Sequence, residues 1–519
     1  MRFVAALILC TPFSLFAIDD PVRIANGSLS GTSGHSPEVR VYKGIPYAAP
    51  PVGSLRWKTP KAPAAWEGVR KADAFSPSCM QTTYPASSIY RSEPEPVSED
   101  CLYLNVWTAA KSATERRPVM VWIHGGALTR GSGSVGIYDG EALAEKGVVV
   151  ITINYRLGVF GFLAHPELTR ESDRNASGNY GLLDQIAALE WVRKNVAAFG
   201  GDPNRVTIFG ESAGSWSVNY LMATPLANGL FHRAIGESGG VFESVRTLAE
   251  AEATGVKFAK SMGADNIAAL RAKPAEEILK SSGFLSFPPN VDGWMLPQDV
   301  YTIFATGKQN DVPILIGSNA DEAKSLTMWP SSGATKTFIG QIKARFGSES
   351  DALLKLYPAN TDEEAKASFY QSFTDYLFTW EMRTWARMEN KTGKNKAYLY
   401  YFTRVPPGPE SDKLGAFHAS EIPYAFDNVG VSKWRPYEYM DYKLADVMSS
   451  YWVNFAEAGD PNGKGLPEWP VYQTASNLAL ELGDHIRPMT APHKEQLDAL
   501  DKYFAEQREK RSDAGRTGQ

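Results

Sequence analysis

A serine stands between two glycines in Gly210-x-Ser212-x-Gly214, directly after the β-branched and aromatic run Val206-Thr207-Ile208-Phe209. A serine flanked in this way can sit on a strained strand-to-helix corner, with its hydroxyl projecting from the edge of a sheet. Glycine is required nearby because a Cβ would clash in so tight a turn. The chemistry open to such a serine is nucleophilic attack on a carbonyl carbon. The five-residue pattern is weak alone, and the chain holds a second copy, Gly236-Glu237-Ser238-Gly239-Gly240. Context favours Ser212: a strand precedes it, and residues 216–222 after it have helical character.

A serine hydroxyl is a poor nucleophile until a base removes its proton, and the base needs a carboxylate to orient it. Seven histidines are available. His124 lies in a glycine turn, His165 and His232 precede regular segments, His35 is N-terminal, and His485 and His493 follow the last strand-like run. His418 remains, in a loop beyond the strand-like segment 397–401, with His485 as the next candidate. Where the nucleophile occupies such a corner, the chain order is serine, acid, histidine, so the acid falls between 212 and 418. Glu322 follows the strand-like segment 313–317; Asp321 and Asp292 are its rivals. The turn His124-Gly125-Gly126-Ala127 follows another strand-like run, 119–123. Its Gly125 and Gly126 amides, with the Ala213 amide, are the expected donors to a tetrahedral oxyanion, and losing one such donor typically costs roughly 3 kcal/mol.

Positioning these groups requires strands that end at one edge. Residues 119–123 and 148–154 are continuous apolar runs of the kind buried in a mostly parallel sheet. Residues 206–209, 313–317 and 397–401 read as further strands. Between residues 179 and 199, apolar side chains at Leu182, Leu183, Ile186, Leu189, Val192 and Val196 form the stripe of an amphipathic helix. Strands alternating with helices predict an α/β fold, a large mostly parallel central sheet with helices on both faces. Residues 248–280 and 335–387 read as helical insertions over the active-site mouth. No repeat or low-complexity linker divides the chain. Residues 18–505 are expected to form one catalytic domain, and 506–519 a charged, flexible tail.

Four segments carry a wider resemblance: residues 199–214 around Ser212, Glu99-Asp100-Cys101-Leu102 with its continuation to Trp107, Asn179 to Gln185, and Tyr138-Asp139-Gly140. In this order they resemble the type-B carboxylesterase/lipase family, which includes the cholinesterases and para-nitrobenzyl-esterase-like enzymes. The resemblance runs from about residue 22 to the end of the domain. It implies an α/β-hydrolase fold and a serine carboxylesterase working through an acyl-enzyme. His418 matches the family's catalytic-histidine segment, and Glu322 matches its acid, although Ala323 replaces the usual glycine after that residue. The resemblance also implies ion pairs between Arg56 and Glu99 and between Arg156 and Asp184. An amidase or peptidase on the same machinery is the alternative within enzymes. A non-catalytic binding protein is the alternative outside them, disfavoured because every triad position is filled.

The chain has 519 residues, a net charge of −5 and a pI near 5.9, which gives no electrostatic footprint for nucleic acid. Residues 1–17 have the pattern of a secretory signal, with Arg2, an apolar run and a small residue at Ala17. That run is too short to span a bilayer, and no integral membrane segment is expected in the mature chain. A secreted or periplasmic protein is therefore expected. Without the leader, Cys79 and Cys101 remain, an even pair that suggests a disulfide in an oxidising compartment; the resemblance favours the same bridge. No metal-ligand spacing and no phosphate-binding glycine loop occurs, so neither metal nor cofactor is expected. The partner is a small-molecule ester. The loop between the two cysteines lacks the tryptophan with which cholinesterases hold a quaternary ammonium; its aromatics are Tyr84 and Tyr90, so a choline ester is not expected. Trp216, Phe284, Phe287 and Phe378 are candidates to line an acyl pocket, with core packing the commoner fate of such side chains.

Overall fold

The computed structural model describes residues 18–85, 87–91, 95–243, 245–283, 285–329, 334–431 and 435–517. Residues 1–17, expected to be a leader, and Phe284 lie outside the described residues. In chain order the central sheet contains β1 (Thr32–Ser33), β2 (Arg40–Pro46), β3 (Tyr103–Thr108), β4 (Arg117–Ile123), β5 (Val149–Ile153) and β6 (Gly201–Glu211). It continues with β7 (Arg233–Glu237), β8 (Ile314–Asn319), β9 (Ala397–Phe402), β10 (Leu478–Leu482) and β11 (Ile486–Thr490). In space the order is β11-β10-β9-β8-β7-β6-β4-β5-β3-β2-β1. All neighbours from β5 through β10 pair in parallel, and the strands at both ends pair antiparallel.

Both faces of this sheet are covered, which explains why its strands are apolar throughout rather than alternating. Val119, Val121 and Ile123 of β4 join one core with Leu189, Val192 and Leu221. Met120 and Trp122 join the opposite core with Phe209, Leu444, Met448 and Trp452. The helix Tyr180–Asn195 matches the expected stripe but is buried on nearly every side, not amphipathic. Its polar residues are paired to permit this: Asp184 accepts two bonds from the Arg156 guanidinium at 2.7 and 2.6 Å, and Gln185 Nε2 donates to Ser217 Oγ at 3.0 Å.

Cys79 and Cys101 are bridged. Closing a loop of that length stabilises the fold by roughly 3 kcal/mol in the chain-entropy view. Arg56 spans Glu99 beside the bridge with bonds of 2.6 and 2.5 Å, as the resemblance implied. The final helix, Lys494–Thr517, runs through the segment expected to fray. Apolar Leu497 and Leu500 anchor it, Phe504 stacks on Trp380 at 3.9 Å, and Asp498 and Asp501 each pair with the Arg383 guanidinium. The boundary expected at residue 505 therefore falls inside a helix.

Candidate active site

Ser212 is the residue between β6 and the helix Ala213–Ala223, with φ 56 and ψ −121. Its amide donates to the Glu237 carbonyl at 2.8 Å and its carbonyl accepts from the Trp216 amide at 2.9 Å. Backbone bonds on both sides therefore hold a conformation that costs energy for any residue with a Cβ. The flanking glycines are explained by crowding. A Cβ at Gly210 would stand 2.5 Å from the Ile123 carbonyl oxygen, and one at Gly214 would stand 2.0 Å from the same atom. Ser212 itself is half-buried, and its Oγ makes no hydrogen bond to a described residue.

Ser238, the rival, also has positive φ, at 53. It is fully buried, and its Oγ donates to Glu421 Oε1 at 3.2 Å. A nucleophile must reach substrate, and Ser238 does not face solvent.

His418 comes from the loop after β9 and Glu322 from the turn after β8. The imidazole Nδ1 lies 2.6 Å from Glu322 Oε2, and Nε2 lies 3.1 Å from Glu211 Oε1. Glu322 is fully buried, and its other oxygen accepts the Asn319 amide at 2.8 Å. Asn319 Nδ2 in turn donates to the Phe417 carbonyl at 2.9 Å, so the end of β8 also fixes the histidine loop. The Phe378 ring packs 4.9 Å from the imidazole.

The rival residues are occupied elsewhere. Asp321 Oδ2 accepts the Ala416 amide at 2.9 Å, and Asp321 pairs with Lys324, bracing the His418 loop. Asp292 Oδ1 accepts the amides of Trp294 and Leu296, each at 3.0 Å, which shapes a turn. His485 is exposed in the β10–β11 turn. His124 stacks on Tyr155 at 4.5 Å, and burial pushes its pKa down to about 4 against the hydrogen bond to the Gly125 carbonyl, so it is neutral and structural.

Two carboxylates shape the electrostatics of His418. Burial alone would lower its pKa, but Glu211 and Glu322 outweigh burial and push it up to about 9. Two further buried acids adjoin this group: Glu421, whose charge acts on His418, and Glu237, which neighbours Glu421 and Glu211. Burial, with neighbouring carboxylates adding to it, drives Glu211 and Glu237 well above the ordinary carboxylate range. Burial and then the Glu322 charge move Glu421 to about 7. Groups this close cannot all ionise, so protons are shared among them.

The glycine turn follows β4 directly. A Cβ at Gly125 would stand 2.8 Å from both the Glu211 carbonyl and a Glu211 carboxylate oxygen, so only glycine fits beside Ser212. Among the described residues, the amides of Gly125, Gly126 and Ala127 donate to no acceptor. The Ala213 amide opens a helix and has no intrahelical partner. Ala127, exposed with φ 55, is an open donor that the spacing of the glycines did not single out.

Sequence reasoning also missed Tyr90 as a site residue. Its hydroxyl donates to Ser325 Oγ at 2.6 Å and to the His418 carbonyl at 3.1 Å, bringing the disulfide loop against the histidine. Glu421 was equally overlooked, although it stands three residues after His418. Of the candidate pocket aromatics, Phe378 touches the imidazole, Trp216 is half-buried beside Gly239, and Phe287 packs on Phe258 in the core. Among the described residues no three His, Cys, Asp or Glu side chains are grouped to hold a metal, and no helix is long and apolar enough to cross a membrane.

A profile described as "Carboxylesterase family" matches residues 19–500. A fumonisin B1 esterase from Sphingopyxis macrogoltabida is 39% identical over 478 residues, 89% of this chain and 86% of that protein. A para-nitrobenzyl esterase from Bacillus subtilis (strain 168) is 36% identical over 494 residues, 91% of this chain and 97% of that protein. A solved para-nitrobenzyl esterase structure superposes with a TM-score of 0.81 at 34% identity, covering 92% of this chain and 99% of that one.

Proposed function

We propose, from the premise that this chain belongs to the carboxylesterase family of carboxylic ester hydrolases, that it cleaves esters through an acyl-enzyme on Ser212. Ser212 Oγ attacks the ester carbonyl carbon and its proton passes to His418 Nε2. The amides of Gly125, Gly126 and Ala213 receive the oxyanion. Glu322 holds Nδ1 and stabilises the imidazolium; the tetrahedral intermediate collapses, and the departing alkoxide takes the proton back from Nε2. Water then attacks the acyl group, giving its proton to His418, and the acid leaves with Ser212 restored. No cofactor enters this scheme.

One observation carries the reading. His418 Nδ1 sits 2.6 Å from the buried Glu322 carboxylate, on the same sheet edge where Ser212 stands half-open on a strained corner. Parallel β4, β6, β8 and β9 supply the glycine turn, Ser212, Glu322 and His418 from their carboxyl ends, the edge where open α/β sheets bind ligands. The test is turnover of a short-chain nitrophenyl ester beside the matching nitroanilide. Rapid hydrolysis of the ester with a far slower anilide supports the esterase reading. Equal rates would favour an amidase, and no turnover of either would remove the reading.

The pH dependence follows from the histidine. An imidazolium cannot accept the serine proton, so kcat/KM falls as pH drops through the His418 pKa. Because Glu211 and Glu322 raise that pKa towards about 9, the acid limb should lie above the ordinary histidine value of ~6.5. A pH–rate profile measures this directly, and a midpoint at or below ~6.5 would contradict the electrostatic assignment.

We also read the chain as an exported protein. The pattern of residues 1–17 motivates this, and the Cys79–Cys101 bridge supports it, since such bridges persist in oxidising compartments. Fractionation of the source cells with detection of the mature N-terminus tests the reading; an uncleaved protein in the reducing compartment would end it.

A further inference from the structure

We infer that Arg130 makes this site selective for esters that themselves carry a carboxylate. The inference rests on the esterase reading above and names the substrate class for the same site.

Arg130 lies four residues beyond Gly126, on the segment that leads out of the glycine turn. That segment is rigidly held. The amides of Thr129 and Arg130 both donate to the Gly126 carbonyl at 3.0 Å. Gln81 clamps the next residue from the disulfide loop: its Nε2 donates to the Gly131 carbonyl at 2.7 Å, and its Oε1 accepts the Gly131 amide at 2.8 Å. The backbone that carries Arg130 is thereby fixed beside the glycine turn, and its guanidinium reaches Thr82 Oγ1 at 3.2 Å.

Its surroundings lead straight to the histidine. The guanidinium carbon lies 4.9 Å from the centre of the Tyr84 ring, and Tyr84 lies 6.0 Å from Tyr90. Tyr90 reaches the His418 carbonyl at 3.1 Å. Two aromatic rings therefore link the cation to the catalytic loop.

Among the described residues, Arg130 lacks the carboxylate partner that Arg56 and Arg156 possess. Arg56 is answered by Glu99 and Arg156 by Asp184, each through two bonds. Arg130 Nε donates to Thr82 Oγ1 at 3.2 Å, and among the described residues no carboxylate pairs with it. A half-buried guanidinium has five donors in a planar fork that matches a carboxylate in two-point fashion. The Tyr84 ring beside it leaves its charge uncancelled.

The charge balance makes this arginine decisive. The chain is acidic overall, and Glu211, Glu237, Glu322 and Glu421 are buried behind the nucleophile. The acidic chain as a whole disfavours an anionic ester. A cation beside the glycine turn reverses that field locally, attracting a carboxylate and opposing a quaternary ammonium.

The experiment compares kcat/KM within two isosteric pairs on the same enzyme samples. The first pair puts the charge in the acyl part, mono-para-nitrophenyl glutarate against para-nitrophenyl valerate. The second puts it in the alcohol part, para-acetoxybenzoate against its amide. Preference for the anionic member in either pair identifies which side of the ester faces Arg130. In Arg130→Gln that preference should shrink by roughly ten-fold, the factor expected for a lost charge-assisted hydrogen bond. Arg130→Lys should keep part of it, and added salt should weaken it in the wild type. Each preference is a ratio measured on one sample, so the amount of folded variant cancels. Absence of an anionic preference in both pairs, or an equal preference in Arg130→Gln, would overturn the inference. Failure of the esterase reading is distinct: the wild type would then turn over neither neutral member.

Discussion

Ser212→Ala leaves a folded protein whose ester turnover falls by roughly 10⁴–10⁶-fold, the range seen when a triad nucleophile is removed. Folding survives because alanine keeps the Cβ that serine already places at φ 56, so the strain of the corner is unchanged. The backbone bonds from Ser212 to Glu237 and Trp216 also remain. What disappears is the half-open hydroxyl. Ser238→Ala is the matched control: it removes the bond to Glu421 and costs on the order of 1 kcal/mol of stability, while substantial activity persists. Initial rates on a nitrophenyl ester, with melting curves for each variant, decide between them. An inactive Ser238→Ala beside an active Ser212→Ala would reverse the assignment.

Glu322→Gln should lower kcat by roughly 10³–10⁴-fold with a smaller change in KM. The carboxylate opposes a charge that exists on His418 as the transition state forms, so its loss falls on kcat. An amide at that position can also donate to Nδ1, which favours the wrong tautomer. The acid limb of the pH profile should move down as well, since one of the two groups raising the His418 pKa is gone. Asp321→Asn and Asp292→Asn should cost far less, because those carboxylates accept backbone amides that a carboxamide oxygen can still accept. Steady-state kinetics of the three variants beside His418→Ala measure this. If Asp321→Asn or Asp292→Asn matched His418→Ala while Glu322→Gln stayed active, the acid would be misassigned.

Residues that need a special local sequence were legible before any coordinates. Gly210 and Gly214 advertise Ser212 because both press on one carbonyl oxygen, and only glycine satisfies that contact. The apolar runs that became β4, β5, β6, β8 and β9 were equally plain, since strands covered on both faces must be apolar throughout. Strand β7 was not: it is five residues long, and Gly236 within it reads as part of a loop. The coordinates explain that glycine, because a Cβ there would meet the Trp385 ring at 2.7 Å.

The site's supporting groups were hidden for another reason. Tyr90 and His418 are 328 residues apart in the chain, and no local pattern announces their contact. Glu237 and Glu421 look like ordinary surface charges in one dimension. Their weight comes from complete burial beside the other acids of the site, which is a property of the packing. The fate of residues 506–517 was missed similarly: the charged stretch looked solvated, whereas the helix entering it is anchored upstream by Phe504 and Asp501.

The central claim is that Ser212 carries the acyl group, and covalent trapping addresses it most directly. The protein is treated with a fluorophosphonate until ester hydrolysis stops, then digested and mapped by mass spectrometry. The account predicts one adduct, on Ser212, accumulating in proportion to the activity lost, absent from Ser238 and formed far more slowly in His418→Ala. Complete inactivation with Ser212 unmodified, or an adduct on another residue that tracks the loss, would contradict it.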